Sequence, residues 1–243
     1  MEALAAGFWG FVGGASLLLG ALAGVYVGAS RRLIATVMAL GVGVLISSVA
    51  FELMEEAYEM GGFDSSSLGL LLGAVAFFFA DREVNRRGGT RRKNSGNDQG
   101  DSGTAIAIGA LLDGIPESAA IGISLLGGGN ISAALVAAVF LSNIPEGLSS
   151  AAGMKNAGRS TAHILTLWGG VTLVSALAAL LGYFFLDGAS DDVIALIQSF
   201  AAGAILTMLA STMMPEAYEE GGPFVGLVTV VGFLLSFVLG HLE

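Results

Sequence analysis

The sequence Leu112-Asp-Gly-Ile-Pro-Glu117 lies inside an apolar stretch at 103–127, and Leu141-Ser-Asn-Ile-Pro-Glu146 lies inside the next one at 131–152. Proline within a helix leaves the carbonyl four residues earlier without its backbone donor. A carboxylate in the hydrocarbon of a membrane costs about 3 kcal/mol or more. Two stretches that each combine both features therefore predict a polar site built inside a membrane.

The composition predicts an all-α polytopic membrane protein. The chain is 54% hydrophobic and 12% charged, and its mean hydropathy is +0.79, values far from those of soluble domains. Apolar runs close to the roughly 20 residues that cross a membrane occur eight times. These eight predicted spans cover 5–28, 34–57, 66–84, 103–127, 131–152, 161–186, 193–217 and 223–242. The short alternating segments of a β-barrel are absent from the sequence.

The basic residues predict the orientation. All ten lie at or after the ends of spans 1, 3 and 5: Arg31, Arg32, Arg82, Arg86, Arg87, Arg91, Arg92, Lys93, Lys155 and Arg159. Since lysine and arginine collect on the cytoplasmic side, we expect a multi-pass protein of the cell membrane with both termini outside. The chain has no cysteine, which excludes disulfides and thiolate metal sites.

A polar segment separates the first three predicted spans from the last five. Residues 81–102 are rich in glycine, asparagine and charge, which predicts a disordered basic cytoplasmic loop between the spans of 1–80 and those of 103–243. The whole chain then forms a single membrane domain. The loop fixes topology or, alternatively, touches anionic lipid of the bilayer. Nucleic acid is not expected as a partner, because a disordered loop offers no folded basic surface.

Two internal repeats are visible. A shift of 29 residues aligns the two Ile-Pro-Glu sequences, and a shift of 160 aligns Met54–Gly62 with Met214–Gly222 at seven of nine positions. Spans 4 and 5 run in opposite directions, and so do spans 2 and 7. The pattern predicts inverted repeats, which in secondary transporters place the substrate site near the midplane.

Span 1 carries Gly20, Gly24 and Gly28, a small residue at every fourth position. Such spacing lets a neighbouring helix approach closely. We expect the neighbour to belong to the same chain; a second copy, in a homodimer, is the alternative.

The two Ile-Pro-Glu sequences predict a metal site made of oxygen ligands. Asp113 and Glu117 share one face of span 4, Ser142 and Glu146 share one face of span 5, and Asn143 lies beside them. Carboxylates crowded in a low dielectric cannot all remain ionised unless a cation compensates them. We therefore predict that these five side chains, with Ser142 secondary, bind a divalent cation; no other cofactor and no catalytic residue is expected.

Other acidic residues leave two interpretations open. Glu52, Glu55, Glu56 and Glu59 form either an outward-facing acidic mouth that concentrates cations or an ordinary solvated helix end. Glu216, at the end of span 7, is either an acid at the site entrance or a charge at the membrane edge.

These motifs resemble the ZIP family of zinc and iron transporters. The paired Ile-Pro-Glu sequences and the basic loop after span 3 carry the resemblance, and Met213–Ala217 resembles the matching segment of the family's GufA-like branch. The resemblance implies eight transmembrane helices in a 3+2+3 arrangement. It matches Glu117 and Glu146 to the family's metal-binding glutamates and Asn143 to its asparagine.

The sequence also departs from the family pattern. Asp113 and Ser142 stand where the family usually has histidine, Gly114 replaces an asparagine, and span 6 offers no carboxylate. The family implies Zn²⁺ first, whereas an oxygen-only site also suits Fe²⁺ or Mn²⁺.

The resulting hypothesis is transmembrane transport of a divalent metal cation toward the cytoplasm. One alternative is a metal-binding membrane receptor or a non-transporting relative, suggested by the missing histidines. A less favoured alternative is an intramembrane hydrolase, since Asp113 is the one aspartate deep in any predicted span and such aspartyl enzymes use two. We expect no enzymatic activity.

Overall fold

The computed structural model describes residues 1–27, 30–86, 103–126 and 131–242. Helices account for nearly all of these residues, and no strand occurs among them. The α-helices are α1 Glu2–Tyr26, α2 Arg31–Ser48, α3 Glu55–Val84, α4 Gly103–Ile123, α5 Ala133–Asn156, α6 Thr161–Leu186, α7 Asp191–Met208, α8 Met214–Gly221 and α9 Phe224–Gly240. A π-helical segment, Val49–Met54, joins α2 to α3, and a second one, Leu209–Met213, joins α7 to α8.

Five of the described helical stretches are long and apolar enough to cross a membrane. They are Glu2–Tyr26, Arg31–Val84, Ala133–Asn156, Thr161–Leu186 and Asp191–Gly221, whereas α9 is apolar but has only 17 residues. Large apolar side chains such as Phe79, Leu173 and Leu227 lie exposed on the outside of the bundle. An exterior this apolar is typical of a protein surrounded by lipid.

Serines begin several of the helices. Ser30, Ser132 and Ser160 each accept a hydrogen bond on Oγ from the backbone N–H three residues later, at 3.3, 3.0 and 3.2 Å. Such caps satisfy one of the free N–H groups at a helix start. The sequence therefore fixes where α2, α5 and α6 begin, each directly after a loop.

The prediction of eight helices separated by loops is wrong at one place. Helical residues follow one another without a loop from Arg31 to Val84, so the described part contains seven continuous helical stretches. Within that stretch only Gly62 leaves the helical conformation, with φ 65° and ψ −166°. This region of backbone space is open to glycine alone. One glycine thus replaces the loop that was expected between spans 2 and 3.

The Gly62 break has a counterpart later in the chain. Gly222, 160 residues further on, has nearly the same backbone angles, φ 68° and ψ −162°, and ends α8. The two π-helical segments are also separated by about this distance, one beginning at Val49 and the other at Leu209. Hence the similarity seen in the sequence extends to two irregular features of the backbone.

The helices pack in two groups. In one group α2 packs against α9 and α3 against α7; in the other α1 packs against α5 and α6, and α4 against α6. Glycines make the closest contacts in the first group. A Cβ on Gly43 would overlap the carbonyl oxygen of Thr229, and a Cβ on Gly203, 160 residues later, would overlap that of Leu70. The contacts within the first group therefore repeat with the same spacing as the backbone breaks.

Glycines also join the second group. A Cβ on Gly20 or on Gly24 would overlap the carbonyl oxygen of Ile144 or Leu148 in α5. The expectation that these glycines serve packing within the chain is confirmed, while Gly28 lies outside the described residues. No polar side chain is needed for these contacts, because close backbone approach itself stabilises helix pairs in lipid.

We predict that Gly203→Ala destabilises the protein, whereas Gly170→Ala does not. The added methyl at 203 meets a backbone carbonyl that cannot move alone, and overpacking of this kind costs about 1–3 kcal/mol. Gly170 lies within α6 with nothing within 4 Å of its Cβ position, so alanine there gains up to about 1 kcal/mol of helix propensity. Thermal unfolding of the purified protein in detergent measures both; equal melting temperatures for the two variants would contradict the packing described.

Candidate metal site

The five predicted ligands all lie inside the bundle. The exposed fractions are 2% for Asp113, 1% for Glu117, 1% for Ser142, 3% for Asn143 and 4% for Glu146. None of these side chains therefore faces lipid, although the helices that carry them are otherwise apolar.

Both prolines lie within continuous helices. α4 contains Pro116 and α5 contains Pro145, and each helix continues beyond its proline for at least another turn. Because proline has no N–H, the carbonyls of Leu112 and Leu141 lose their usual helical donors. Each carbonyl belongs to the residue before the first polar residue of its motif, so the site can include backbone oxygen.

The polar side chains of α5 bond to helix backbone. Asn143 donates from Nδ2 to the carbonyl oxygen of Gly13 in α1 at 3.3 Å, and Ser142 donates from Oγ to the carbonyl of Val139 in its own helix at 3.0 Å. The first bond fixes the orientation of the amide and leaves its oxygen out of that contact. A cation ligand requires this oxygen.

Helices α1 and α6 supply residues that the sequence analysis missed. Gly14 of α1 lies against Ser175 of α6, and Thr172 donates from Oγ1 to the Gly14 carbonyl at 3.0 Å. The Cβ position of Gly114, beside Asp113, lies 3.7 Å from the Ser175 hydroxyl. The adjacent glycines at 13 and 14, and two hydroxyls three residues apart in span 6, were the available signals.

The structure thus brings both motifs to the same turn of α1. Asn143 reaches Gly13 from α5, and Gly114 approaches Gly14 through Ser175. By contrast, α4 packs mainly on α6 and α5 mainly on α1 and α2, and the two motif helices touch each other only marginally. The two motifs are therefore connected mainly through α1 and α6.

In the parts of the chain that the structure describes, no three histidine, aspartate or glutamate side chains form a group that could hold a metal ion. Beside the carboxylates of Asp113, Glu117 and Glu146, the candidate site offers the amide oxygen of Asn143, the hydroxyl of Ser142 and the backbone carbonyls that the prolines release.

Helix α2 closes the other side of α5. A Cβ on Gly41 would lie 2.8 Å from the Cα of Ser142, so the two backbones are nearly in contact at the candidate site. Further along the chain after α2, Glu52 accepts a hydrogen bond from Ser132 at the start of α5 at 2.8 Å. The two contacts show that α2 and α5 run antiparallel.

The acidic residues after α2 are held by a glutamine that the sequence analysis did not single out. Gln198 of α7 is 1% exposed and donates from Nε2 to the carboxylate of Glu56 at 2.7 Å and to the backbone carbonyl of Glu52 at 3.3 Å. That carbonyl belongs to the π-helical segment. Glu55 and Glu59 are exposed, and Glu216 is half-buried in α8.

The fold and its apolar exterior define a helical membrane protein. No protein-family model matches the chain. A protein of Arabidopsis thaliana named "putative zinc transporter" is 24% identical over 188 residues, which is 76% of this chain and 30% of the plant protein. The chain thus spans about a third of the length of this relative.

We predict that Asn143→Leu lowers stability more than Ser142→Ala. Leucine has similar volume but cannot donate to the Gly13 carbonyl, so the tie between α5 and α1 is lost at a cost of about 1 kcal/mol. The Ser142 hydroxyl bonds only within its own helix among the described contacts, and its loss leaves the pairing of helices intact. Melting temperatures in detergent give the comparison; a larger effect of Ser142→Ala would show that the α1–α5 bond is unimportant.

Proposed function

We propose that this chain is a carrier that moves a divalent metal cation across a membrane toward the cytoplasm. Its site consists of Asp113, Glu117, Asn143 and Glu146, with Ser142 secondary. The observation that carries the proposal is the burial of all five oxygen-bearing side chains within helices that are otherwise apolar. Carboxylates are stable in such surroundings when a cation or a proton compensates them.

Zn²⁺ is the first candidate for the ion, with Fe²⁺ or Mn²⁺ next. The name of the plant relative supports zinc. Carboxylate, amide and hydroxyl oxygens bind Fe²⁺ and Mn²⁺, and carboxylates also bind Zn²⁺. The ligand set alone therefore does not select among these ions. No resident cofactor forms part of the proposal, because the metal is the cargo.

The proposal includes eight membrane crossings in a 3+2+3 arrangement with inverted repeats. Two contacts support the inversion: Gln198 of α7 bonds to Glu56, and Gly221 of α8 lies near Ala35 at the start of α2. The earlier residue of the α7–α8 segment, Gln198, contacts the later residue Glu56, and the later one, Gly221, contacts the earlier residue Ala35. The α7–α8 segment therefore runs antiparallel to α2. Since α2 and α7 are related by the 160-residue repeat, the two copies run in opposite directions, as inverted repeats require.

In this proposal, access to the metal site changes through motion at the boundary between the two groups of helices. α5 belongs to one group and α2 to the other, and Gly41 faces Ser142 across that boundary. A shift of α5 relative to α2 would move Ser142, Asn143 and Glu146 together. Orientation with both termini outside, and residence in the cell membrane, follow from the positions of the basic residues and belong to the same proposal.

Metal uptake by purified protein in liposomes tests the carrier. We expect Glu117→Ala and Glu146→Ala each to lower uptake about tenfold or more, because losing a ligand worth 1.4 kcal/mol lowers occupancy by that factor. Glu219→Gln is the matched control, since Glu219 is exposed at the end of α8 and lies outside the proposed site. Full uptake by both alanine variants would reject the assignment of Glu117 and Glu146 to the transport site.

A second candidate is a metal-binding receptor that does not transport. Asp113 and Ser142, which stand where the ZIP family usually has histidine, favour it. Saturable binding of Zn²⁺ in detergent without uptake in liposomes would establish the receptor. Competition among Zn²⁺, Fe²⁺ and Mn²⁺ for uptake by the wild-type protein identifies the ion if transport is observed.

A further inference from the structure

A second polar cavity lies away from the candidate metal site. It occupies about 180 Å³ between the end of α2 with its π-helical segment and the end of α9, and we call it the α2–α9 cavity. Its polar lining comes from Ser47, Glu52, Glu55, Ser236 and His241. The aromatic rings of two phenylalanines complete the wall.

The charge of this cavity is negative. Glu52 and Glu55 provide two carboxylates, and the chain contains no lysine or arginine at 33–81 or at 160–243. No lysine or arginine of either lining segment can therefore neutralise the two carboxylates. The one basic side chain of the lining is that of His241, whose Nδ1 lies 2.9 Å from the carbonyl oxygen of Phe237. The cavity thus attracts cations.

A buried hydroxyl points independently to an occupant. Ser47 is 1% exposed and lines the α2–α9 cavity, but its hydroxyl makes no hydrogen bond to another described residue. Buried hydroxyl groups are normally paired, with protein or with water. The missing partner must therefore come from within the cavity.

The size of the cavity matches a hydrated ion. Its volume of about 180 Å³ equals that of about six water molecules at roughly 30 Å³ each. The cavity is therefore suited to an ion that keeps its water, held by hydrogen bonds from that water to carboxylate and hydroxyl oxygens.

The cavity is connected to the candidate metal site through α5. Glu52 is bonded to Ser132, the residue that caps α5, and Ser142 follows ten residues later, about 15 Å along the helix at 1.5 Å per residue. Between them lie buried apolar residues of both helices, including Val49 and Val139. In this conformation an apolar layer separates the cavity from the site.

We propose that the α2–α9 cavity is a vestibule that binds a hydrated divalent cation before the ion loses its water and enters the site in α4 and α5. The transfer of the ion from the cavity to the metal site rests on the proposed function. The binding of the hydrated ion in the cavity does not depend on it. Glu52 and Glu55 supply the charge, and the Ser47 hydroxyl accepts a hydrogen bond from the ion's water.

Hexamminecobalt(III) is the probe that tests the vestibule, because its ammonia ligands do not exchange and it can bind only as an intact, hydrated-ion-sized complex. Equilibrium dialysis against the detergent-purified protein at low ionic strength should show one saturable site. Removing one carboxylate about 6 Å from the ion should weaken binding by about tenfold or more, so Glu55→Gln and Glu52→Gln should each raise the Kd of the probe by that factor. Added salt should weaken binding to the wild-type protein.

Glu55→Gln is the primary variant, since Glu55 is exposed and its replacement leaves the Glu52–Ser132 bond intact. Glu219→Gln removes the same charge from the 160-residue counterpart of Glu59 and should bind the probe like the wild type. Glu117→Ala should also bind it normally. Absence of saturable binding, or equal binding by Glu55→Gln and Glu219→Gln, would overturn the vestibule.

Uptake kinetics separate this inference from the proposed function. If both hold, Glu55→Gln raises the KM for uptake by about tenfold at low salt and leaves kcat unchanged, whereas Glu117→Ala lowers uptake about tenfold or more even at saturating metal. If Glu117→Ala lowers uptake but Glu55→Gln leaves KM unchanged, the vestibule is wrong and the proposed carrier site stands. If the probe binds and Glu117→Ala and Glu146→Ala both transport normally, the vestibule stands and the proposed carrier site is wrong.

Discussion

Backbone touches backbone wherever the helices of this protein pack most closely, and only glycine permits that distance. A Cβ on Gly43, Gly122 or Gly203 would overlap a carbonyl oxygen of the neighbouring helix. Between helices surrounded by lipid the hydrophobic effect contributes little, so tight van der Waals packing must hold them together. Large apolar side chains such as Phe79 lie on the outside, whereas others such as Trp168 are buried inside the bundle.

The same constraint explains why the candidate site lies beside α1. Helix α5 is held to α1 along a row of glycine contacts, and α1 in turn contacts α6, which carries α4. Asn143 can therefore reach the backbone of Gly13, and Gly114 approaches Gly14 through Ser175. At the boundary between the two groups of helices, Gly41 lies against Ser142 in a close backbone approach. Motion between the groups would act on the site directly.

Irregular backbone marks the other functional region. The π-helical segment at Val49–Met54 lies between the buried part of α2 and the acidic residues that follow, and Gln198 bonds to a carbonyl within it. Such segments frequently occur at functional sites. Here the segment carries Glu52 to both Ser132 and the α2–α9 cavity. Glu52 therefore both lines the α2–α9 cavity and is tied to the start of α5.

The sequence by itself determined the class of fold, the positions of most helices and the burial of the two Ile-Pro-Glu motifs, because hydropathy and the cost of charge in hydrocarbon act on local stretches. It also revealed the 160-residue repeat, since Met54–Gly62 and Met214–Gly222 share their residues. Only the tertiary structure decided that α1 and α6 separate the two motif helices, that Gly62 alone replaces a loop, and that Gln198 meets Glu56. These features depend on which helices come close together. That choice follows from the shapes of whole helix surfaces, which periodicity and composition along one segment do not encode.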